Sequence, residues 1–232
     1  MFSNRYIFIY SSAMVIIVAI ALTIVAVQLK PRQVFNQKVE KMQNILASVN
    51  IESTPKNAEE LYKKYIKESL VVDNKGEIKQ GINAFEVELQ LENKKKPEER
   101  NLAVFVCIND KNEKYYVVPV RGKGLWGPIW GYVSFKENLN TVEGTMFGHK
   151  GETPGLGAEI ETSIFQKQFE NKSIIDDKKE FVSIKVVKGG ASKTDIHGVD
   201  AISGGTITSK GLEAMLRDCL KEYIAYFSKI RK

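Results

Sequence analysis

Four hydroxyl side chains crowd around a pair of glycines near the carboxyl end of the chain, in the segment Asp200-Ala-Ile-Ser-Gly-Gly-Thr-Ile-Thr-Ser209. An amphipathic pattern starting near Thr208 predicts a helix directly after the glycines. The first N–H groups of a helix lack intrahelical acceptors and lie at the positive end of its dipole, so they favour an anion, most naturally a phosphate. The candidate residues are Ser203, Gly204, Gly205, Thr206 and Thr208.

A simpler interpretation of this segment is that Thr208 or Ser209 caps the helix. Capping accounts for one hydroxyl and leaves the glycine pair and the other hydroxyls without a role. The anion-site interpretation is therefore favoured.

Two further glycine-rich segments precede it. Gly148-His-Lys-Gly-Glu-Thr-Pro-Gly-Leu-Gly157 lies between a predicted strand and a predicted helix, and free backbone N–H groups in such a loop can grip a ring edge or a phosphate. Residues 121–131 contain the spacing GxGxxG, but the dinucleotide fingerprint needs a helix after its glycines, and Pro128 with a β-like run follows instead. We interpret these glycines as bending a strand so that Trp126 and Trp130 present their rings, the alternative being tryptophans packed in a sheet bend.

The types and spacing of the residues do not indicate a metal site, a nucleic-acid-binding face or a catalytic nucleophile. His149 has no second histidine or cysteine at ligand spacing, and no CxxC is present. Cys107 and Cys219 lie in apolar patterns and are predicted to be core residues. The net charge of +6 comes from scattered basic residues, without the dense stripe of a nucleic-acid-binding face. We therefore predict no metal site, no catalytic residue and no nucleic-acid partner.

The amino-terminal segment 6–29 carries no charged residue and lies between Arg5 and Lys30. As a helix it is long enough to cross the ~30 Å hydrocarbon core of a bilayer. A cleaved signal peptide would have a shorter apolar stretch, so we predict an uncleaved single-pass anchor over residues 1–30. The basic residues after the span favour a cytoplasmic domain, but large domains translocate largely regardless of charge, so the residues leave the side open.

The rest of the chain predicts an α+β fold with a mostly antiparallel sheet and flanking helices. Residues 31–69 are expected to form a juxtamembrane helical segment, with one helix beginning at Pro31 and a second over Ala58–Lys67. A single domain is predicted over residues 70–232, with a helix over Ala158–Asn171. The predicted strands are 70–72, 85–91, 102–108, 115–120, 129–135, 140–147 and 181–187.

These residues resemble the FMN-binding domain family. The segment Asp200-Ala-Ile-Ser-Gly-Gly-Thr206 is similar to the flavinylation motif Asp-x-x-Ser/Thr-Gly-Ala-Thr, in which the last threonine accepts FMN. Glu152-Thr-Pro-Gly-Leu-Gly157 and Gly124-Leu-Trp126 look like the same family's other signatures, in the same order. With its anchor, the whole chain resembles the family of C subunits of Na+-translocating NADH:quinone oxidoreductases. It departs from the motif at Gly205, where the family usually has alanine.

The resemblance implies a flavoprotein with FMN bound covalently by a phosphoester to Thr206. A separate flavin transferase would attach it from FAD with Mg2+, releasing AMP, so this chain would be the substrate of that reaction. The resemblance implies the following residues around the flavin: Leu125, Trp126, Glu152, Thr153, Leu156 and Gly157. Glu152 would either hydrogen-bond within its loop or tune the charge of the flavin.

The function implied is that of an electron-relay subunit of a sodium-pumping translocase that oxidises NADH and reduces ubiquinone, the activity belonging to the complex. Its partners would be the other subunits, the flavin transferase and the lipid bilayer. The resemblance also implies a location in the bacterial inner (cytoplasmic) membrane, with the flavin domain on the extracytoplasmic side.

Two other functions fit the same residues. One is that of the G subunit of the related Rnf-type electron-transport complex, which has the same anchor and motif. The long segment between the anchor and the flavin motifs favours the sodium-pumping reductase instead. The other is a non-redox, membrane-anchored module that uses the pocket to bind a phosphate-bearing ligand.

Overall fold

The computed structural model describes residues 3–231, which divide into a first unit ending at Lys41 and a second beginning at Met42. Helix α1 spans Asn4–Ser48 and is long and apolar enough to cross a membrane, with a mean hydropathy of 2.6 in its most apolar window. Between Tyr6 and Phe35 its large apolar side chains are exposed, as expected of a helix that faces lipid. Met1 and Phe2 of the predicted anchor, and Lys232, lie outside the described residues.

Helix α1 continues through Pro31, so the prediction that a second helix begins there is wrong. Proline removes one backbone hydrogen bond, but strongly helical patterns on both sides carry the helix across it. The second unit begins at Met42, and the first strand begins at Ile66, inside the segment 31–69 that was predicted to be juxtamembrane.

The second unit is built on a five-stranded antiparallel sheet whose strands follow one another in chain order. This confirms the predicted α+β fold with a mostly antiparallel sheet and flanking helices. The strands are β1 Ile66–Val72, β2 Leu102–Ile108, β3 Lys114–Lys123, β4 Pro128–Lys136 and β5 Val142–His149. The remaining helices are α2 Ala58–Tyr65, α3 Leu89–Glu92, α4 Ser163–Lys167 and α5 Thr206–Ile230, with 3-10 helices at Ala84–Glu86, Pro97–Glu99 and Gly157–Glu161.

Both faces of the sheet are buried, which explains the continuous apolar run of β2. Val104 and Val106 belong to a core cluster on the face that α5 covers. Phe105 and Cys107 alternate with them and pack on the opposite face with residues from the end of α1, such as Leu46. A strand covered on both sides has no need of polar residues at alternate positions.

The two cysteines are free and behave as core residues, as predicted. Burial raises the pKa of the Cys107 thiol to about 12 and that of Cys219 to about 11. Both groups are therefore protonated at neutral pH and poorly nucleophilic.

Three local predictions differ from the structure. The alternating residues 85–91 form a 3-10 helix and α3 instead of a strand, because the Asn83 side chain accepts the Phe85 N–H at 3.0 Å and starts a helical turn. The predicted helix Ala158–Asn171 is divided into a 3-10 helix and α4, because Thr162 is extended and caps a new helix at Phe165 N–H. Strands β6 Lys185–Val187 and β7 Gly198–Asp200 form a parallel pair, of which β7 was not predicted.

We expect Tyr223→Phe to raise the free energy of unfolding by about 1 kcal/mol. The Tyr223 side chain is fully buried, and its hydroxyl has no hydrogen-bond partner within the described residues, so removing that oxygen removes a buried unsatisfied group. Thermal unfolding of the purified chain measures the effect as a rise of roughly 2–4 °C.

The matched control is Tyr115→Phe, in which the lost hydroxyl donates to Glu113 Oε2 at 2.8 Å. This change should lower stability by about 0.5–1.5 kcal/mol. Equal destabilisation in both variants would contradict the view that the Tyr223 hydroxyl lacks a partner.

Candidate functional site

A single buried carboxylate joins the three glycine-rich segments. Glu152 lies in the loop of residues 150–156 between β5 and the 3-10 helix, here called the Glu152 loop, and is only 5% exposed. Its Oε1 accepts the backbone N–H of Trp126 at 2.8 Å, from the Trp126 loop (residues 124–127) between β3 and β4. Its Oε2 accepts the hydroxyl of Thr208 at 2.5 Å, in the first turn of α5. Charge-assisted bonds of this kind are stronger than neutral ones, so the three segments are fixed against one another.

The position of Glu152 depends on a close approach at Gly157. A Cβ added to Gly157 would collide with Thr208 Oγ1 and lie 2.5 Å from Glu152 Oε2. The backbone N–H of Glu152 donates to His149 Nδ1 at 3.1 Å, which fixes the other end of the loop. Within the part of the chain that the structure describes, the carboxylate of Glu152 thus bonds to the two other segments and not within its own loop, as one of the two predicted roles required.

Helix α5 begins at Thr206 with Gly205 as its cap, and no side chain caps it. Within the described residues, the backbone N–H groups of Thr206, Ile207 and Thr208 have no hydrogen-bond acceptor. This is the helix start predicted to bind an anion. The alternative that Thr208 or Ser209 caps the helix is wrong, because both hydroxyls are used elsewhere.

The hydroxyls around α5 differ in accessibility. Thr208 and Ser209 are 1% and 2% exposed; Thr208 donates to Glu152, and Ser209 Oγ accepts the Ile202 N–H at 3.1 Å. Thr206 is half-buried, and its hydroxyl makes no hydrogen bond within the described residues. Ser203 is exposed. Only Thr206 and Ser203 therefore present a hydroxyl that an enzyme could reach and modify.

The glycine pair packs against the Glu152 loop. Gly204 has φ +73°, a left-handed conformation that favours glycine, and a Cβ there would lie 2.5 Å from Leu156 Cδ2. A Cβ on Gly205 would lie 2.9 Å from Ile202 Cγ2 and 3.3 Å from the carbonyl carbon of Leu156. Ile202 thus occupies the space that the usual alanine of the motif would need, so Gly205 is confined despite its small size.

Apolar side chains are exposed beside this helix start. Leu125, Trp126 and Leu156 are 45%, 69% and 41% exposed, and all three lie on the loops that Glu152 connects. Exposed aromatic and aliphatic side chains in one region offer a surface on which a planar ring can pack. Trp130, in contrast, is half-buried in β4 over Gly148, as a tryptophan packed in a sheet.

The sequence predicted free backbone N–H groups in the Glu152 loop. In the structure, several of these groups donate hydrogen bonds within the loop or to the helix that follows it. Leu156 and Ala158 donate to the Thr153 carbonyl at 3.1 Å, and Gly155 donates to Glu159 Oε1 at 2.9 Å. These groups are not free to grip a ligand. Thr153 itself is exposed, and its carbonyl organises the loop.

Comparison with known proteins gives these three segments a context. Residues 124–221, which include the Trp126 loop, the Glu152 loop and the start of α5, match the FMN-binding domain family. The chain is similar to the C subunit of the Na+-translocating NADH-quinone reductase of Vibrio alginolyticus, with 33% identity over 214 residues that cover 85% of this chain and 83% of that protein. It is 34% identical to the same subunit of Pasteurella multocida over 223 residues, covering 85% and 84% of the two chains.

Solved structures agree with the sequence comparisons. The crystal structure of the corresponding Na+-translocating NADH-quinone reductase C subunit from Parabacteroides distasonis matches with a TM-score of 0.79 and 40% identity. The match covers 86% of this chain and 97% of that one. The likeness therefore extends over nearly the whole of the other structure.

We expect Glu152→Ala to lower the free energy of unfolding by about 2–3 kcal/mol, because the buried Thr208 hydroxyl and the Trp126 N–H both lose their acceptor. Thermal unfolding should show a loss of roughly 4–12 °C. Glu98→Ala, at an exposed glutamate, is the control and should change stability by less than about 0.5 kcal/mol.

A double-mutant cycle with Thr208→Val tests whether the two side chains act together. Thr208→Val should cost about 1–3 kcal/mol in the native chain, where it leaves Glu152 Oε2 without its donor, and clearly less in the Glu152→Ala background. Fully additive losses would show that the Glu152–Thr208 bond does not link the two segments.

Proposed function

Because the chain belongs to the family of C subunits of the Na+-translocating NADH-quinone reductase, we propose that it carries FMN covalently, through a phosphoester to Thr206. As a member of this family it is an FMN electron-relay subunit of a multi-subunit oxidoreductase that transports sodium. The main support for covalent attachment is the hydroxyl of Thr206. It is accessible, it has no hydrogen-bond partner among the residues that the structure describes, and it lies at the start of α5, which no side chain caps.

The residues at this helix start fit a phosphate diester. Three N–H groups without acceptors in the described chain, at Thr206, Ile207 and Thr208, provide donors at the positive end of the α5 dipole. Once attached, the phosphate would keep one negative charge, which this environment stabilises. Ser203 and Gly204 are exposed, so the segment leaves room for a large enzyme to reach Thr206.

Attachment is a phosphoryl-group transfer in which this chain supplies the nucleophile. The Thr206 hydroxyl oxygen forms a bond to the phosphorus of the FMN half of FAD, and the diphosphate P–O bond breaks. AMP leaves with the bonding electron pair, and the hydroxyl proton is released. A flavin transferase using FAD and Mg2+ would catalyse the reaction.

The apolar side chains beside Thr206 would hold the ring of the flavin. FMN supplies the redox chemistry when bound, and the protein supplies position and electrostatics. Leu125, Trp126 and Leu156 offer exposed apolar surface. Glu152 and Gly157 are buried beneath it and hold the Trp126 loop and the Glu152 loop in place. Thr153 acts through its carbonyl, which shapes the Glu152 loop.

We further propose that α1 anchors the chain in the inner membrane, with lipid as its environment and the flavin domain on the extracytoplasmic side. The length and hydropathy of α1 support the anchor. The family's orientation supports the side. The basic residues Lys30, Arg32, Lys38 and Lys41 oppose it, but their effect on a large translocated domain is weak. The relatives from sodium-translocating reductases favour this function over that of the Rnf-type G subunit and over a non-redox binding module.

Thr206→Ala should abolish covalent flavin while the domain still folds, since the Thr206 side chain makes no hydrogen bond within the described residues. The protein is made together with its flavin transferase, separated on a denaturing gel and examined for flavin fluorescence. An intact mass spectrum should show native protein heavier by one FMN less one water.

Ser203→Ala is the matched control, because it removes the other accessible hydroxyl of the same segment. This variant should keep the adduct. Loss of the adduct from Ser203→Ala with retention in Thr206→Ala would show that Thr206 is not the attachment site. A native protein without any adduct would refute covalent attachment altogether.

Leu156→Lys should leave the covalent bond in place but shift the flavin absorption and slow reduction of the flavin by the complex. A flavin tethered at its phosphate needs an apolar surface to orient its ring, and a charged side chain beside Gly204 would remove it. Ile230→Lys is the control, since Ile230 is 38% exposed, close to the 41% of Leu156, at the far end of α5 from Thr206. An unchanged spectrum and rate in Leu156→Lys would contradict placement of this loop at the flavin.

A further inference from the structure

His149 lies at the base of the Glu152 loop, and it is not one of the residues expected to border the flavin. It is the last residue of β5, opposite Ile129 of β4, and its side chain is 15% exposed. The loop starts at the next residue and returns to the 3-10 helix Gly157–Glu161. One nitrogen of the imidazole faces the loop, and the other faces the end of that helix, at Glu161.

The hydrogen bonds of His149 fix the position of its ring proton. Nδ1 accepts the backbone N–H of Glu152 at 3.1 Å, so this nitrogen carries no proton. In the neutral ring the proton is then on Nε2, which lies 3.7 Å from Glu161 Oε2. Glu161 also accepts the backbone N–H of His149 at 2.9 Å through Oε1. The carboxylate of Glu161 therefore favours the same tautomer that the bond from Glu152 requires.

Packing contributes little to the shape of the Glu152 loop. Every residue of the loop except Glu152 is exposed. A Cβ added to Gly151 or Gly155 would meet no atom within 4 Å, so the backbone at both glycines lies beside open space. Hydrogen bonds must therefore determine where the loop lies, and within residues 3–231 the imidazole of His149 is the acceptor of the Glu152 N–H.

The bond from His149 reaches the Trp126 loop through a single residue. Its donor, Glu152, is the residue whose carboxylate accepts the Trp126 N–H at 2.8 Å and the Thr208 hydroxyl. Because Glu152 is 5% exposed, loss of the acceptor at Nδ1 leaves its N–H unsatisfied unless the loop shifts. A shift of the Glu152 backbone would move its carboxylate away from the Trp126 N–H.

We propose that His149 is a positioning residue for the flavin ring: its neutral imidazole, with the proton on Nε2, holds the Glu152 backbone so that the Glu152 carboxylate keeps Trp126 in place beside the ring. The proposal rests on the proposed attachment of FMN at Thr206, with the ring against the Trp126 loop. The role needs a hydrogen-bond acceptor at the position of Nδ1 and does not need a positive charge.

His149→Phe keeps the bulk of the ring and removes the acceptor, whereas His149→Asn places an amide oxygen near the position of Nδ1. The full-length chain is made with its flavin transferase, and the fluorescence of the covalent flavin is measured in the folded protein and after denaturation. An indole in contact with a flavin quenches its fluorescence, so the ratio of the two intensities reports whether Trp126 lies beside the ring. His149→Phe should raise the fluorescence of the folded protein about two- to tenfold, the effect of one lost hydrogen bond on the population of the fixed loop. His149→Asn should stay within about twofold of the native chain.

His197→Phe is the matched control, because it removes the other imidazole of the chain, whose Nδ1 lies 2.6 Å from the Ser173 carbonyl, outside both loops. This variant loses an imidazole hydrogen bond of its own and should leave the flavin fluorescence unchanged. Thermal unfolding of all three variants measures the effect of each change on the fold separately from its effect on the flavin.

The tautomer of His149 can be measured without any flavin. The chain has two histidines, so a nitrogen-15 NMR spectrum of the full-length chain in detergent, made without the transferase, contains two imidazoles, and His197→Phe identifies which of them is His149. We expect an unprotonated Nδ1 and a protonated Nε2 at a pH where the ring is neutral. This measurement uses the native side chain, so it tests the bond even where His149→Phe fails to fold.

Three results would overturn the proposal. A proton on Nδ1 of the neutral ring would exclude the bond from Glu152. Unchanged flavin fluorescence in His149→Phe would show that this bond does not position Trp126 at the ring, and an equal rise in His149→Asn would show that the acceptor is not what matters. Absence of covalent FMN from the native chain would instead refute attachment at Thr206, whereas the tautomer tests the bond alone, so the two failures are distinguishable.

Discussion

The site depends on the burial of one charged side chain. A carboxylate that is 5% exposed must have its charge balanced by donors, and Glu152 finds them on the Trp126 loop and on α5, two elements that are far apart in sequence. This one group therefore connects the turn before β4 and the first turn of α5 to the Glu152 loop.

This arrangement also divides the hydroxyls of α5 between structure and chemistry. The buried Thr208 is used by Glu152 and the buried Ser209 by Ile202, which leaves Thr206 as the threonine of this helix start without a structural bond in the described chain. Ordinarily a serine or threonine would cap such a helix and use its first N–H groups. Here the cap is Gly205, so the N–H groups remain available for the phosphate that we propose.

The sequence predicted well those features that depend on local patterns. The antiparallel sheet followed from apolar runs separated by turns, and the amphipathic pattern after the glycines predicted the last helix, with a start near Thr208 that lies two residues after the observed start at Thr206. What it could not predict were contacts between distant segments. The bonds of Glu152 to Trp126 and Thr208 span 26 and 56 residues. The strand predicted at 85–91 failed for a local reason instead, since period-two alternation in a short segment did not outweigh a helical turn capped by Asn83.

The two glycines in the motif of residues 200–206, Gly204 and Gly205, meet different physical requirements. Gly204 needs a left-handed backbone where Leu156 packs closely, so a side chain would be strained and crowded there. Gly205 has a φ of −102°, which any residue can adopt, and it is confined only by Ile202 and Leu156. An alanine at this position would bring its Cβ to 2.9 Å from Ile202 Cγ2, so Ile202 would have to shift, and the two residues must be considered together. The departure from the motif at Gly205 is therefore matched to its neighbour, because a methyl group of Ile202 lies against the space that an alanine Cβ would enter.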